Sequence, residues 1–428
     1  MTRIYSLLAM CCLFSIPALA QLPNPALVGY WHNWNTANAP YIQLEQVDNR
    51  YNVIAVAFAV PRSGTDYDMT FTPSGGVTVA NFKTKIQTLQ GQGKKVLLSI
   101  GGGGTALSLS STTERDVFAS SMLTLLTSYG FDGMDIDIEG TGLSLTGGTI
   151  AAPVDASIIN LIAATKTLMQ NYYVARGKQL LLTMAPETAF VQGGMSSYSG
   201  VWGAYLPVIQ GLRDSLALVH VQLYNSGSMY GINRGIYTQG TADFIVALTE
   251  AVIRGFTTSG SGGVFSGLPA SKVAIGLPAC TSAAGGGFTT ETVVASAVNY
   301  LRGVGPKPGT YTLVQSGGYP TLRGMMTWSM NWDAVATCNT ASYKYAQNYQ
   351  TLFSTPVPIE LLSFSAKKND KNNLLAWQTA SETNVAYFDI ERSDNGILFE
   401  KIASAKANNT PSVYTHSDAL FKDRKSVV

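Results

Sequence analysis

Gly130-Phe131-Asp132-Gly133-Met134-Asp135-Ile136-Asp137-Ile138-Glu139-Gly140 alternates acidic and apolar residues from Asp135 onward. Successive side chains of an extended chain point to opposite faces, so Asp135, Asp137 and Glu139 share one face while Met134, Ile136 and Ile138 take the other. The three carboxyls then stand in a row, with about 7 Å between neighbours. Like charges this close repel, and they resist burial unless paired or protonated, so a purely structural strand gains nothing from them. Chemistry does gain: crowding raises some of the pKa values, and one carboxyl stays protonated as an acid at neutral pH while its neighbour carries charge. A solvent-facing acidic edge strand fits less well, because Met134 and the isoleucines need a cover. A calcium loop also fits less well, since EF-hand ligands sit on a turn with its glycine mid-loop.

Outward from this stretch, apolar strands alternate with helices. Upstream, residues 27–31, 52–59 and 95–100 read as strands, the last stopped by Gly101 to Gly104; residues 81–91 and 113–129 read as helices. In the second helix Phe118, Met122, Leu125 and Leu126 recur at helical spacing. Downstream, strands at 180–184, 218–224, 272–277 and 324–328 alternate with helices at 155–176, 242–254 and 290–302. Apolar runs of this kind are strands buried on both faces, and interleaved helices mark a parallel sheet covered on its outside. With the carboxylate strand as the fourth, eight such strands ending near residue 350 predict an α/β fold, the (β/α)8 TIM barrel. Active sites of that fold lie at the C-terminal ends of the strands. Glu139 at the end of the fourth strand is therefore the candidate general acid.

From Pro356 the texture changes. Pro356-Val357-Pro358 reads as a linker, and short strands at 361–366, 374–379, 388–393 and 400–405 are separated by polar turns such as Asp394-Asn395-Gly396. This predicts a partial immunoglobulin-like or fibronectin-like β module, incomplete because four strands cannot close such a sandwich. The ending Asp423-Arg424-Lys425-Ser426-Val427-Val428 does not continue the strand pattern. It matches a translation of common sequencing-adapter DNA, and the expectation is a gene model cut off there. The organisation expected is a leader at 1–20, a catalytic barrel at 21–355 and the module at 356–428.

The 428 residues, 46% hydrophobic and 13% charged with a net charge of +2, suffice for one large domain and something smaller. A near-neutral chain without basic runs argues against nucleic acid and polyanionic partners. Arg3, the apolar run 4–16 and Ala18-Leu19-Ala20 before Gln21 read as a cleavable signal peptide, too short to span a membrane, which predicts a secreted protein. A lipoprotein reading at Leu8-Ala9-Met10-Cys11 fits less well, because the residue before the Cys should be small. Once Cys11 and Cys12 leave with the leader, Cys280 and Cys338 remain, either as one disulfide or as two buried thiols. His32, His220 and His416 have no metal-ligand spacing, and no metal or other cofactor is expected.

The acidic positions Asp132, Asp135, Asp137 and Glu139 form a D-x-x-D-x-D-x-E spacing that resembles the signature of family 18 glycoside hydrolases, the chitinases and their relatives. Ser99-Ile100-Gly101-Gly102 is similar to the S-x-G-G that ends the preceding strand in that family, and the resemblance covers about residues 26–349. It implies a retaining mechanism in which the substrate's own N-acetyl group is the nucleophile, the exception to the two-carboxylate rule. By this resemblance Glu139 is the acid, Asp137 orients the acetamido group and Asp135 tunes Asp137 from below, whereas Asp132, off the row, is structural. Gln222 and Tyr224 in Gln222-Leu223-Tyr224-Asn225 resemble the family residues that hold the acetamido group, with Asn225 beside them. Met184, opening Met184-Ala185-Pro186-Glu187, resembles a wall of the same subsite, and Trp328 resembles its floor. Tyr30 and Phe58 at strand ends are candidates to line the cleft; Trp34, Trp202 and Trp332, in loops, are candidates for outer sugars or for capping the barrel, and Trp31 is given no definite role.

The substrate implied is chitin or chito-oligosaccharide, with no nucleic acid, no membrane and a monomeric enzyme. The short Gly-rich segment 281–288 leaves no room for an added α+β domain, so the cleft is expected to be open and the cleavage endo. An endo-β-N-acetylglucosaminidase on N-glycans and a non-catalytic chitinase-like lectin are the alternatives.

Overall fold

The computed structural model describes residues 21–354, 359–369, 372–382, 385, 387–393, 399–408 and 410–418. The leader, the linker at 356–358 and the ending at 423–428 lie outside them. Eight strands carry the barrel: β1 (Ala26–His32), β2 (Val53–Pro61), β3 (Lys95–Gly101), β4 (Gly133–Asp137), β5 (Leu181–Met184), β6 (Leu218–Gln222), β7 (Val273–Pro278) and β8 (Gly324–Trp328). Each pairs in parallel with the next, and β8 pairs back to β1, so the sheet closes as the eight apolar runs require.

The outer layer is α1 (Val79–Gly91), α2 (Thr112–Tyr129), α3 (Ala156–Arg176), α4 (Leu206–Leu212), α5 (Ala242–Arg254), α6 (Glu291–Leu301), α7 (Met330–Asp333) and α8 (Lys344–Ser354). The crossover from β1 to β2 carries only a 3-10 turn at Leu44–Gln46. Sequence reading missed α4, α7 and α8: α4 and α7 span 7 and 4 residues, too short for helical periodicity to show.

Strand registers divide the side chains cleanly. Ala55, Leu97, Leu181, Leu218, Ala274 and Met326 meet inside the barrel. Ile54, Leu98, Ile136 and Leu182 face outward and pack with Phe82, Phe118 and Leu161 of the helices. Each such aliphatic or aromatic side chain, wholly buried, contributes about 1.5–3 kcal/mol relative to leaving it in water. Polar residues interrupt the inner set at Ser99, Asp135, Thr183 and His220, all 0% exposed.

Delivery of the carboxylate strand starts at α2. Ser111 and Glu114 form a capping box, and Gly130, in the left-handed conformation, ends the helix with its N–H on the Leu126 carbonyl. Asp132 follows, and its carboxylate accepts from the Val96 N–H, Gln90 and Lys178 at the N-terminal end of the barrel. It ties β4 to β3 and stands away from the strand ends that carry the site.

Among its described residues the C-terminal module has one strand more than the four expected. The three-stranded sheet is β9 (Ile359–Asn369), β10 (Asn372–Glu382) and β13 (Ser412–Asp418); β11 (Tyr387–Arg392) pairs with β12 (Glu400–Lys406). β13 escaped notice because its alternation is largely polar. Leu375, Trp377 and Ile390 form a small core between the sheets, while Leu361, Leu362 and Phe364 of β9 stay roughly half exposed, as in a partial β-sandwich.

Cys280, just past β7, and Cys338, past α7, are joined in a disulfide with Cα atoms 5.6 Å apart, which decides between the two readings of the cysteines. The bridge closes a sequence separation of 58 residues. Replacing both by Ser should lower stability by about 2–4 kcal/mol, or the Tm by roughly 3–6 °C, through the unfolded state. Thermal denaturation with and without reductant checks it: reductant should lower the wild-type Tm and leave the double variant unmoved.

Candidate active site

The row of carboxyls resolves into three environments. Asp135 is enclosed by donors: the Tyr30 and Ser99 hydroxyls reach Oδ2 at 2.6 and 2.7 Å, and the Thr183 hydroxyl reaches Oδ1 at 2.6 Å. His220 Nε2 lies 3.4 Å from the same Oδ1. Burial by itself raises its pKa, but the His220 ring and the hydroxyls outweigh burial and hold Asp135 below its ordinary value. It is a buried anion held by protein hydroxyls in place of water.

Asp137 has no such cage. Burial, the neighbouring Glu139 and the Asp135 charge, in that order, push its pKa well up. Glu139 is also raised, by burial first and by the charge of Glu187, against a hydrogen bond from Gln222 that lowers it. Each carboxyl raises the cost of charging the other, so the two are disfavoured as a pair of anions. Gln222 Nε2 bridges them, 2.8 Å from Asp137 Oδ1 and 3.0 Å from Glu139 Oε1, and also reaches the Ala185 carbonyl at 2.9 Å.

The ladder of β4 stops at Asp137, two residues short of Glu139, contrary to the expectation that Glu139 ends the strand. Its position is nevertheless held. The Tyr205 hydroxyl accepts from the Ile138 N–H at 2.7 Å and donates to the Ile138 carbonyl at 3.0 Å, so one side chain replaces the missing strand partner. The Ser99-Ile100-Gly101-Gly102 motif acts on the other side. A Cβ on Gly101 would stand 2.2 Å from the Asp137 carbonyl oxygen, so only glycine lets β3 come this near. The Gly102 N–H binds that oxygen at 2.7 Å, and a Cβ on Gly102 would strike the Phe58 ring.

Aromatic rings form the floor. Trp328, half-buried at the end of β8, stacks on Phe58 with centroids 6.0 Å apart and planes 13° apart, and Phe58 stacks in turn on Trp34 at 6.2 Å. An irregularity in the β2–β3 register lies between Val56 and Ala59, where Phe58 turns toward the interior set. His32 supports Trp34 from behind at 4.4 Å, and burial pushes its pKa down to about 4, so it is a neutral ring in a stack. Tyr224, two residues past β6, is 6% exposed, and burial first, then the charges of Asp137 and Glu139, raise its pKa well above the ordinary value. Its hydroxyl has no hydrogen-bond partner among the described residues. It is the donor left free above the carboxyl pair.

Two expected contacts are corrected. Tyr30 does not line the cleft: it is 1% exposed and its hydroxyl belongs to Asp135, which makes it part of the support. Met184 is no wall: it is 0% exposed, and its register with Ile136 turns it outward into the core beneath the helices. The neighbouring Ala185, of opposite facing, takes the inner position. Asn225 is exposed at the rim, exchanging hydrogen bonds with Gly286 that brace the loop after β7. Trp31 is buried in the outer core, and Trp202, 37% exposed, lies over Gly193. Trp332 is half-buried on α7.

Beside Glu139 runs a groove of about 670 Å³, lined by Gly104, Thr105, Ser108, Gly140, Ser144 and Ser157 among others. Small and hydroxyl side chains dominate it, and no aromatic ring lines it. Among the described residues no group of three His, Cys, Asp or Glu is placed to hold a metal ion. No described helix is long and apolar enough to cross a membrane.

Sequence reading overlooked Thr183, His220 and Tyr205 as parts of the site, and took Glu187 only as the end of the wall segment Met184-Ala185-Pro186-Glu187. The first two carried a signal: counting back by two from Ala185 and from Gln222 puts both on the inner face. Tyr205 carried none, since it precedes the unrecognised α4.

The family model described as glycosyl hydrolases family 18 matches residues 26–410. Chitinase Chi52 of Paenibacillus xylanexedens is 48% identical over 312 residues, covering 72% of this chain and 58% of that protein. Chitinase ChiA of Flavobacterium johnsoniae is 37% identical over 424 residues, covering 93% of this chain and 26% of that protein. The chain thus spans little more than half, or about a quarter, of these relatives. Among solved structures, a family GH18 chitinase from Chromobacterium violaceum superposes with a TM-score of 0.68 at 37% identity, covering 78% of this chain and 85% of that one.

Proposed function

Since the chain belongs to glycosyl hydrolase family 18, we propose that it hydrolyses β-1,4-linked N-acetylglucosamine polymers, with retention and substrate assistance. The carrying observation is the pair of buried Asp137 and half-buried Glu139, bridged by Gln222 Nε2 at 2.8 and 3.0 Å, with the Tyr224 hydroxyl free nearby. Asp137 stands next to Glu139 on one strand row, a poor place for a nucleophile that must attack from across the bond.

In the proposed reaction a sugar stacks on Trp328 and its acetamido carbonyl accepts from Tyr224. Glu139 gives its proton to the glycosidic oxygen as the C–O bond breaks, and the acetamido oxygen closes on C1 to form an oxazolinium ion. Asp137, left charged, accepts from the acetamido N–H and faces the positive charge, with Asp135 fixed beneath. Water then attacks C1, the ring opens, and Glu139 takes the proton back. The β-anomer results.

The open groove beyond Glu139 and the short connection from β7 to α6 support endo cleavage. The run before Gln21 supports export with cleavage after Ala20, which N-terminal sequencing of the secreted protein would read directly. The central test is chitohexaose hydrolysis followed by NMR in its first minutes. β-Anomeric products at intermediate bonds are expected; α-anomer from the outset overturns retention, and early disaccharide alone overturns endo action. Cleavage of an N-glycan core but not the hexamer moves the substrate, and binding without cleavage of either leaves a lectin.

A further inference from the structure

Glu187 is the acidic residue of the site that this mechanism leaves without a task. It opens the loop after β5, half-buried, with its backbone bridged to Gln222 and the Gln222 N–H on the Pro186 carbonyl at 2.9 Å. Its Oε2 accepts from the Gly140 N–H, the amide directly after Glu139, at 3.1 Å. Among the described residues no Lys or Arg is ion-paired with it, although cations are paired with Asp132 and Asp48 elsewhere in the barrel. A carboxylate kept beside an acid without a counter-charge is unfavourable for stability alone, since any neutral acceptor would hold the Gly140 amide.

We propose that Glu187 is a positioning residue for Glu139: it pins the backbone at Gly140 and sets an uncompensated negative charge against the acid. The groups facing Glu139 are few. From the end of the strand before it comes Asp137, joined to it through Gln222, with Asp135 deeper and engaged by its donors. From β6 and beyond come Gln222 and Tyr224, both uncharged at neutral pH, and from the β5 loop comes Glu187. Glu187 supplies the nearby charge that favours the protonated form of Glu139, adding to burial. The raised value of the acid thus has a source that substitution can remove without touching the acid, Asp137 or Gln222.

The proposal rests on Glu139 being the acid, so its test needs a readout independent of turnover. Glu187→Gln keeps an oxygen for the Gly140 amide and removes the charge; Glu187→Ala removes both. The carboxyl of Glu139 is followed by NMR with 13C-labelled glutamate, assigned with Glu139→Gln, beside pH profiles of kcat/KM on chito-oligosaccharide. In Glu187→Gln the Glu139 titration and the basic limb of activity should both move down by about half to one pH unit. Activity above the limb then falls about three- to tenfold and stays near wild type on the acid side. Glu187→Ala should show the same shift and, in addition, a loss of kcat across the whole pH range. An unmoved Glu139 titration in Glu187→Gln, with or without lost activity, overturns the proposal and leaves Glu187 a structural peg. A titration that moves in a protein that cleaves no chitin supports the coupling and sinks the proposed function instead.

Discussion

Glu139→Gln should lower kcat on chitohexaose by about 10³- to 10⁴-fold, the upper part of the range for one general acid–base group. The size follows from double use, since the same carboxyl protonates the leaving oxygen and then deprotonates water. The replacement is nearly isosteric, and its amide oxygen can still accept from Gln222, so hexamer affinity should change less than about threefold. Isothermal titration with hexamer and single-turnover cleavage separate the two effects. A substrate with a 4-nitrophenolate leaving group needs little protonation, so the loss in its first step should shrink to tens of fold or less. The wild-type pH profile carries the same assignment. Glu139 is raised above its ordinary 4.5, by burial first, so the acid persists to higher pH and activity falls as pH rises through the upper apparent value of the pair. Activity within tenfold of wild type for Glu139→Gln on hexamer would remove Glu139 from the role.

The barrel and the carboxyl row were legible because both rest on period-two alternation and burial, which a strand writes directly into its residues. Asp135, Asp137, Gln222 and Trp328 follow from that parity, and so do Thr183 and His220 once it is counted through. Met184 fails by the same rule: one residue off the inner set, it lies in the outer core despite its neighbouring motif. Tyr30 obeys the parity but sits one layer too deep, a matter of height along the barrel axis that sequence does not give. Beyond the ladder parity no longer constrains the chain, and Glu139 depends on Tyr205 and Glu187, which hold its neighbours Ile138 and Gly140 from 67 and 47 positions away. Those contacts are tertiary, and no local pattern encodes them.

Asp137→Asn should separate stability from function at one residue. Asp137 is 2% exposed, and burial, Glu139 and Asp135 disfavour its charged form. Its folded value lies above the ordinary 3.8, so the native state holds a proton that the unfolded chain has lost. Stability is then full below about the unfolded value and declines as pH rises through the folded one. Asn never ionises and can still meet Gln222 through its side-chain oxygen, so the variant should lose that decline, and its Tm should exceed wild type by a few degrees at pH 7 while matching it near pH 4. Catalysis should move the opposite way. Without an anion facing the oxazolinium ion, kcat should fall about 10²- to 10³-fold, the range for removing one preorganised electrostatic partner. Thermal scans at the two pH values and kcat on hexamer test both halves, and a variant whose Tm at pH 7 is no higher than that of wild type would refute the first. The strand tolerates a carboxyl it would fold better without because the ionisation that the resting site disfavours is the one the positively charged intermediate requires.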